Sequence, residues 1–550
     1  MDIKRLGLMT ATAAVGFTLW IKWNNQQQTH ITAPHTVHMT SHVDSSQHGG
    51  GAIPLVTSKP NQKSSTVKSP IEVKTDVLNL TIDPMSATIS SAHLLKYSKS
   101  VANKAPISIL TAPSSSSNQT YMLTNQLYQN SKPMNMVYHA SQQIYKMKPG
   151  DKELVVNLQA SQNGVVVNKQ FVFNRGNYAV KVNTTVKNQN KSSLKLQQGY
   201  GIVRTEPKAD HLHFNGASYS AGSEDYTKLS YSDIAKSNLN INTNNGWLAM
   251  QQHYFLSTWI PPQQQSQQFY TSVTNTDGKL YKIGSLLSFS LDPQQTFDRS
   301  ATFYVGPENT TVLAALAPHL DRTVNYGWFS SISSFIFMLM THIHHVVGNW
   351  GWTIVLITLL IKLVLYYPSA KSYRSMARMR EVQPKVKILQ ERYKDDRQTL
   401  SQEMMKLYKK ERVNPLGGCL PLLVQFPILI ALYHLLGAAV ELRQAPFIFW
   451  IHDLSVKDPF YILPILMGLS MFAQQKLNPA PPDPTQARVM MFLPVVMTVF
   501  FLNFAAGLTL YWLTNNILSF AQQAYIMSQY DSKAEDKKLR YKKKAKRRLG

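Results

Sequence analysis

One apolar stretch near residue 350 constrains the fold of this chain more than any other feature. Residues 349–367 are long enough to cross a membrane, with Trp350 near one end and Tyr367 at the other. Aromatic side chains at both ends of an apolar run are typical of the two membrane–water interfaces. A single charged residue, Lys362, interrupts the run. The sequence therefore predicts a transmembrane helix that carries one ammonium group within the membrane.

The distribution of charge predicts the side of the membrane on which each segment lies. The net charge is +26. Residues 368–418 contain thirteen basic and six acidic side chains, and residues 531–550 contain ten basic and three acidic ones. By contrast, residues 308–367 and 419–530 each have no net charge. Basic blocks beside neutral apolar regions follow the positive-inside rule, which places both blocks in the cytoplasm; nucleic-acid binding is the alternative explanation.

The first 70 residues are predicted to anchor and tether an external domain. Lys4 and Arg5 precede an apolar run that extends from Leu6 to Ile21, and no small-x-small cleavage site follows it. We interpret residues 1–23 as an uncleaved anchor with a cytoplasmic N-terminus. Because the run is short for a span, a cleaved signal peptide is the alternative. The composition of residues 24–70, rich in Gln, His, Ser and Thr, predicts a disordered linker.

In residues 71–307 the hydrophobic pattern changes to a period of two. Leu78, Leu80 and Ile82 alternate with polar residues, and further short alternating segments follow between Gly, Asn, Asp and Pro residues. Many short strands with few helical patterns predict an antiparallel β-sandwich. The Ser, His and Asp residues of this segment lie in no nucleophile motif, so the sequence predicts no catalytic site there.

Two helical segments flank the apolar stretch. Residues 308–347 are predicted to form connecting and interfacial amphipathic helices. Residues 369–412 carry two apolar stripes at helical spacing, separated by a turn at Asp395 and Asp396. This pattern predicts an antiparallel helical hairpin, which its positive charge places in the cytoplasm.

Four more apolar runs follow the hairpin. They cover approximately residues 420–436, 460–476, 489–504 and 507–527. Together with residues 1–23 and 349–367 they predict six spans, with both termini in the cytoplasm and the β-domain outside. Several runs are short, because sixteen residues make a helix of about 24 Å and the hydrocarbon core is about 30 Å thick. Short spans are expected to thin the bilayer locally.

Polar residues at membrane depth predict a hydrated pocket. A charge within a span is costly unless its side chain reaches the interface or faces a wet cavity. Lys362 is close enough to Tyr367 to extend towards the headgroups, and this explanation stays open. Other polar residues in the spans favour a cavity, although helix–helix hydrogen bonding is the alternative role for each of them. They are Thr358, Gln425, Asn503, Thr509, Tyr511, Thr514, Asn515 and Asn516. The five C-terminal spans contain no carboxylate, which argues against a proton- or cation-coupled transporter.

Five stretches of the C-terminal half resemble the YidC–Oxa–Albino family of membrane protein insertases. They are GNWGWTIVLIT (348–358), SMARMREVQPKVK (375–387), SQEMMKLYKKERVNPLGGCLPLLVQFPI (401–428), VELRQAPFIFWIHDLSVKDPFYILPILMG (440–468) and FLPVVMTVFF (492–501). The predicted anchor and β-domain are similar to the Gram-negative bacterial form of the family in arrangement more than in motif.

The resemblance implies a polytopic inner-membrane insertase and chaperone that is not an enzyme. It implies five core helices around a hydrophilic groove that is open to the cytoplasm and to lipid and closed towards the periplasm. It also implies that the hairpin recruits substrates and that the β-domain lies in the periplasm. Nascent membrane proteins and the Sec translocon are the implied partners. The expected groove residues are Lys362, Thr358, Gln425, Tyr511, Trp512 and Asn515. Lys362 stands where the family usually has Arg; it keeps the charge and loses the planar two-pronged fork.

The basic tail, residues 531–550, is expected to be disordered and to contact the ribosome or anionic lipid. The residues expected to make this contact are Lys542, Lys543, Lys544, Lys546, Arg547 and Arg548. No cofactor or metal is expected, since Cys419 is the only cysteine and the histidines lack a zinc-binding spacing. Two other functions stay open at this stage. One is a solute transporter or channel, and the other is a membrane-anchored periplasmic protein that binds or processes carbohydrate.

Overall fold

The protein was analysed as a computed structural model. It describes residues 69–113, 119–207, 214–222, 224–275, 279–394, 396–411, 413, 420–478 and 484–546. The described chain divides into two units, one ending at Val324 and one beginning at Asn325. The predicted anchor, nearly all of the predicted linker, and Arg547 and Arg548 lie outside the described residues.

The first unit is built from strands. They are β1 (Ile71–Lys74), β2 (Leu78–Asp83), β3 (Thr88–Ser98), β4 (Pro106–Leu110), β5 (Tyr121–Gln129), β6 (Lys132–Pro133), β7 (His139–Ala140), β8 (Ile144–Lys146), β9 (Glu153–Gln162), β10 (Val165–Asn174), β11 (Ala179–Asn188), β12 (Leu194–Thr205), β13 (Gly216–Ala221), β14 (Glu224–Leu229), β15 (Asn240–Thr243), β16 (Gly246–Gln252), β17 (Phe255–Ile260), β18 (Gln267–Asn275), β19 (Lys279–Leu291) and β20 (Thr296–Pro307). One short helix, α1 (Tyr231–Lys236), lies between β14 and β15.

These strands form two sheets. The first runs in the order β15-β18-β19-β12-β5-β3-β2-β1-β8, with β4 beside β3 and β6 beside β5; the second runs β14-β13-β16-β17-β20-β11-β10-β9-β7. The pairing is antiparallel except between β1 and β8. The indole of Trp259 in the second sheet donates to the carbonyl of Gly201 in the first, at 3.1 Å. The predicted antiparallel β-sandwich is therefore confirmed.

Alternation along the strands explains why the sheets stack. Leu78, Leu80 and Ile82 are all buried, whereas the residues between them are partly exposed. Because successive side chains of a strand point to opposite faces, this pattern gives each sheet one apolar face. The rings of Tyr200 and Trp259 meet between the sheets with their centroids 5.2 Å apart.

The first unit continues past its last strand. The helix α2 (Thr310–Leu316) begins at Asn309, whose side chain accepts a hydrogen bond from the amide of Val312 and so caps the helix. A 3-10 helix follows at Leu320–Thr323. The indole of Trp247 donates to the carbonyl of Pro318 at 2.9 Å, which fastens this connecting segment to the second sheet.

The second unit is helical. Its helices are α3 (Ser330–Val347), α4 (Trp350–Val364), α5 (Tyr366–Arg392), α6 (Arg397–Lys410), α7 (Leu420–Ala438), α8 (Ile462–Leu477), α9 (Pro484–Phe501) and α10 (Ala506–Lys546). Gly348, in the left-handed conformation, ends α3, and Asn349 caps α4 by accepting a hydrogen bond from the amide of Trp352.

The described helices occupy the five C-terminal predicted spans but do not establish how many spans there are. In the described part of the chain, α3 is the one helix that is both long and apolar enough to cross a membrane alone. The helices α4 and α5 make a second such span only if they are counted together, since they bend by 68° at their junction. The apolar parts of α7 and α9, Val424–Ala438 and Ala487–Phe501, are shorter. The prediction of six spans thus stays a prediction. Residues 330–347, predicted to be interfacial, form a helix of spanning length.

The predicted hairpin is present as α5 and α6. Val382 and Val386 of α5 pack against Tyr408 of α6 in a small apolar cluster. Asp396 caps α6 by accepting hydrogen bonds from the amides of Gln398 and Thr399. Since α5 begins at Tyr366, the first arm of the hairpin continues from α4 through a bend rather than through a loop.

The expectation of a disordered tail is wrong for residues 531–546. These residues continue α10 as one helix up to Lys546. Lys, Arg, Ala, Leu and Glu all have high helix propensity, and a helix that has already formed extends at little cost. High charge density alone is therefore a poor indicator of disorder here.

Candidate functional site

Lys362 lies on α4 and its ammonium group points towards two other helices. The Nζ atom donates to Oγ of Ser519 on α10 at 2.7 Å and to Oε1 of Gln425 on α7 at 3.4 Å. Both acceptors are neutral oxygens. The ammonium is thus held by side chains of two other helices of the bundle.

A hydrogen-bonded network extends from this contact. Nε2 of Gln425 donates to the hydroxyl of Tyr511 at 3.3 Å and also to Oδ1 of Asn515. The hydroxyl of Ser519 donates to the backbone carbonyl of Asn515 at 2.6 Å. Tyr511, Asn515 and Ser519 are spaced four residues apart, so they lie on one face of α10. We call Lys362, Gln425, Tyr511, Asn515 and Ser519 the groove network.

Two predicted groove residues lie outside this network. Thr358 is buried one turn before Lys362, but its hydroxyl donates to the carbonyl of Ile354 in its own helix, at 2.6 Å. The indole ring of Trp512 packs against Phe501 with the centroids 5.2 Å apart. Its Nε1 atom has no acceptor among the described residues. The structure therefore joins four of the six predicted residues directly.

An open cavity of about 250 Å³ lies beside the groove network. Its polar lining comes from α4, α5, α7, α8, the residue that follows α8, and α10, and methionine, leucine, phenylalanine and proline side chains complete the wall. The polar lining residues are Lys362, Tyr373, Gln425, Gln474, Gln475, Asn478, Trp512, Asn515, Asn516, Ser519 and Gln523. The cavity thus combines one positive charge with many groups that both donate and accept hydrogen bonds.

Sequence reasoning missed Ser519 and Gln523. Ser519 is the nearest hydrogen-bond partner of Lys362, and Gln523 donates to Oδ1 of Asn478 at 2.8 Å. A signal was available, because Tyr511, Asn515, Ser519 and Gln523 continue one stripe at a spacing of four residues. Polar residues on such a stripe are neighbours along a helix face.

The site offers one ammonium and several amide and hydroxyl groups as its polar chemistry. In the described part of the chain, no group of three or more His, Cys, Asp or Glu side chains is placed to hold a metal ion. The groove network contains no carboxylate and no activated nucleophile. A positive charge in a low-dielectric setting attracts anionic groups strongly, and the surrounding amides suit a polar peptide.

The β-sandwich unit contains two titratable groups with shifted pKa values, a buried lysine and a partly buried glutamate. Burial lowers the pKa of Lys169 to about 7, and the Nζ atom of Lys169 donates to the carbonyl of Asn125. Burial also raises the pKa of Glu308 to about 8, although a hydrogen bond from Gln251 at 3.2 Å opposes the shift. These two groups affect the stability of the β-sandwich. Neither of them lines the cavity beside the groove network.

Comparisons with known proteins cover both units. A family described as YidC periplasmic domain matches residues 70–339, and a family described as 60Kd inner membrane protein matches residues 342–534. The membrane protein insertase YidC of Legionella pneumophila (strain Corby) is 44% identical over 559 residues, which are 98% of this chain and 99% of the relative. That of Coxiella burnetii (strain Dugway 5J108-111) is 42% identical over 571 residues, with 100% of both chains covered.

A solved structure also resembles the chain. A crystal structure of an active YidC insertase, with its first transmembrane domain resolved, matches 82% of this chain and 92% of its own. The TM-score is 0.38 and the sequence identity is 17%.

Proposed function

The chain belongs to the YidC family of membrane protein insertases, and on that premise we propose that the cavity beside Lys362 receives the polar segment of a nascent membrane protein during insertion. By family identity the protein is an insertase and not an enzyme. Insertion moves a polypeptide from water into lipid and breaks no covalent bond, so a binding cavity without reactive groups suits it.

One observation carries the proposal: the ammonium of Lys362 is bonded to Ser519 and Gln425 at the wall of an open polar cavity. A polar segment that crosses the hydrocarbon core loses its hydrogen bonds to water, and each unpaired group is costly there. The amides and hydroxyls of the groove network replace part of that hydration. The energetic barrier to translocation falls accordingly.

The charge of Lys362 gives the groove its preference. An ammonium has three N–H donors, and two of them are used by Ser519 and Gln425. One donor is left for an acidic or carbonyl group of the substrate. Since Lys lacks the planar fork of Arg, we infer that the groove acts through charge and a single hydrogen bond rather than through a two-pronged carboxylate contact.

The apolar part of the substrate is proposed to leave the cavity sideways between α7 and α9. Phe426 of α7 and Leu493 of α9 both line the cavity. On α9, Val495 and Val499 are exposed large hydrophobic side chains. An apolar substrate helix that moves along this surface exchanges contacts with the cavity wall for contacts with lipid.

The charge distribution supports a topology in which the hairpin, the tail and both termini lie in the cytoplasm and the β-sandwich lies in the periplasm. The basic end of α10 is proposed to contact the ribosome or anionic lipid through Lys542, Lys543, Lys544 and Lys546, together with Arg547 and Arg548. The Sec translocon is a proposed partner on the strength of the family resemblance. No observation in the described residues favours a solute transporter or a carbohydrate-binding protein.

Reconstitution tests the proposed function directly. We expect the purified chain in liposomes to insert a labelled small membrane protein with a short acidic translocated tail, without the Sec translocon. Liposomes that contain the Lys362→Glu variant are the control and should insert this substrate poorly. Solute flux in the absence of any nascent chain, together with failure to insert, would favour the transporter class instead.

A further inference from the structure

The segment between α7 and α8, residues 439–461, contains a buried carboxylate that the proposed function does not use. We call this segment the α7–α8 loop. Asp458 is 1% exposed. Its Oδ1 atom accepts hydrogen bonds from the indole of Trp450 and from the amide of Phe460, both at 3.0 Å, and its Oδ2 atom accepts one from the amide of Leu463 at 2.7 Å.

These bonds link the side chain of Trp450, the backbone just before α8 and the first turn of α8. Burying a carboxylate is costly unless hydrogen bonds replace its hydration, and three N–H donors supply them here. Leu463 lies in the first turn of α8, where the helix dipole also favours a negative charge. Asp458 therefore joins the Trp450 side chain and the residues that precede α8 to the start of that helix.

The backbone of the α7–α8 loop is held in an unusual conformation at the same places. Phe449 and Tyr461 are non-glycine residues with φ angles of 55° and 57°, in the left-handed region. Such conformations persist where surrounding contacts fix them. Phe449 precedes Trp450, and Tyr461 follows Phe460, so each is adjacent to a residue that donates to Asp458.

The α7–α8 loop also contacts the starts of two other helices. The amides of Ala506 and Gly507, where α10 begins, donate to the carbonyls of Val456 at 2.7 Å and Leu454 at 2.9 Å. Those two bonds satisfy donors that a helix start leaves free.

At the start of α4, Asn349 donates to the carbonyl of Pro446 at 3.2 Å. The ring of Phe447 lies so close to Gly351 that an added Cβ atom would be 2.0 Å from its Cδ2 atom. The loop therefore touches the same end of α4, α8 and α10, which are three of the helices that line the cavity.

We propose that Asp458 is a positioning residue that holds the α7–α8 loop in place as the closed outer end of the groove. The proposal rests on the proposed function and its topology. Along α4, Lys362 is twelve residues from Trp350, or about 18 Å. Asp458 is not among the residues that line the cavity, so its assigned role is positioning and not contact with the substrate. It fixes the α7–α8 loop, and this loop keeps the starts of α4, α8 and α10 together. The close spacing of these three helix starts closes the groove on the side opposite to its cytoplasmic mouth.

Side-specific labelling of a cavity cysteine tests the proposal. In a Cys419→Ser background, Met471→Cys places a thiol on the cavity wall. A membrane-impermeant maleimide is added either to the outside of intact spheroplasts or to inverted membrane vesicles. With Asp458 present we expect labelling in the inverted vesicles and very slow labelling from outside.

Asp458→Ala should increase the rate of outside labelling by about tenfold or more, because this rate follows the population of the outward-open state. Trp450→Phe removes one donor and keeps a ring, so it should give a smaller increase. Asp453→Ala is the matched control, because Asp453 lies in the same loop and bonds only locally to Ser455, at 2.9 Å and 2.6 Å in the described contacts. It should label like the parent.

Unchanged outside labelling in Asp458→Ala and Trp450→Phe would overturn the proposal. If Asp458→Ala fails to accumulate, outside labelling is measured for Asp458→Asn and Trp450→Phe instead. Unchanged labelling of these two variants would overturn the proposal in the same way. The ratio of outside to inside labelling distinguishes an opened groove from a misfolded protein, which would label quickly from both sides of the membrane and accumulate poorly. Failure of the parent to label in inverted vesicles would contradict the inward-open cavity itself, and hence the proposed function.

Discussion

The contacts of Lys362 depend on residues from three helices that are far apart in sequence. The charge, the polar residues on α10 and Gln425 are visible as exceptions in apolar runs, and they were predicted. The hydrogen bond to Ser519 was not, because a serine near the end of a span is unremarkable until the rotation of α10 about its axis is known. Thr358 shows the converse: it shares a face with Lys362, yet its hydroxyl is already satisfied by the carbonyl of Ile354.

Ser519→Ala tests the closest of these contacts. The change removes the acceptor at 2.7 Å from Nζ of Lys362, so the ammonium should be less well positioned. We expect a several-fold slower insertion of an acidic-tailed substrate in proteoliposomes, with a loss of stability of about 1 kcal/mol. Ser519→Thr keeps a hydroxyl and should restore the rate. Ser528→Ala is the control, because Ser528 is an exposed serine of the same helix whose side-chain hydrogen bond, among the described residues, is to the carbonyl of Tyr525. An equal effect of both alanine variants would contradict the positioning role.

At the scale of secondary-structure elements, the local sequence pattern predicted whether a segment is a helix or a strand better than it predicted where the element begins and ends. Alternation of apolar and polar residues predicted strands such as β2, since each strand buries one face. The order of the strands within each sheet could not be predicted, because the pairing of β12 with both β5 and β19 brings together segments separated by many residues. The prediction of a helix end was wrong where high charge was taken as a sign of disorder, as in the C-terminal part of α10. The hairpin was correct because its two apolar stripes and the turn residues between them are local features of the sequence.

The segment that links β20 to α2 provides a test of pH dependence. Burial raises the pKa of Glu308 to about 8, so the folded state holds a proton that the unfolded state releases near its ordinary pKa of 4.5. The folded state therefore loses stability as the pH rises from about 4.5 to about 8. Glu308→Gln should remove this loss, and its Tm should exceed that of the parent by a margin that grows between pH 5 and pH 8.

The measurement is thermal unfolding of the full chain in detergent, followed by the signal of the buried indoles of Trp247 and Trp259. Glu153→Gln, at an exposed strand end, is the control and should show no such trend. A constant difference in Tm between Glu308→Gln and the parent at all pH values would show that Glu308 is not held protonated.

For the whole molecule, the division into two units near residue 324 decides how the chain can be truncated. The predicted domain boundary at residue 307 follows the last strand. The compact unit nevertheless includes α2 and the 3-10 helix, where Leu313 and Leu320 are fully buried. Period-two patterning reports only where strands end, and it does not reveal which helix packs onto them. The long-range hydrogen bond from Trp247 to Pro318 is invisible in sequence.

Two deletions test this boundary. Removal of residues 24–324, with the predicted anchor kept, should leave insertion of small substrates largely intact. Removal of residues 24–307 should reduce accumulation, because it exposes the apolar side chains of Leu313 and Leu320. The comparison uses membrane levels by immunoblot and insertion in cells depleted of their own insertase. If the longer deletion is folded in the membrane but inserts nothing, the β-sandwich is required for the activity itself.

The central claim is that the positive charge of Lys362 acts on the polar part of the substrate. The most direct measurement compares insertion rates of two substrates that differ only in their translocated tail, one acidic and one neutral, in proteoliposomes with Lys362, Lys362→Arg, Lys362→Ala or Lys362→Glu. We predict that Arg supports both substrates, that Ala slows the acidic substrate more than the neutral one, and that Glu nearly abolishes insertion of the acidic substrate. Equal rates for the acidic substrate with Lys362 and with Lys362→Glu would contradict the account.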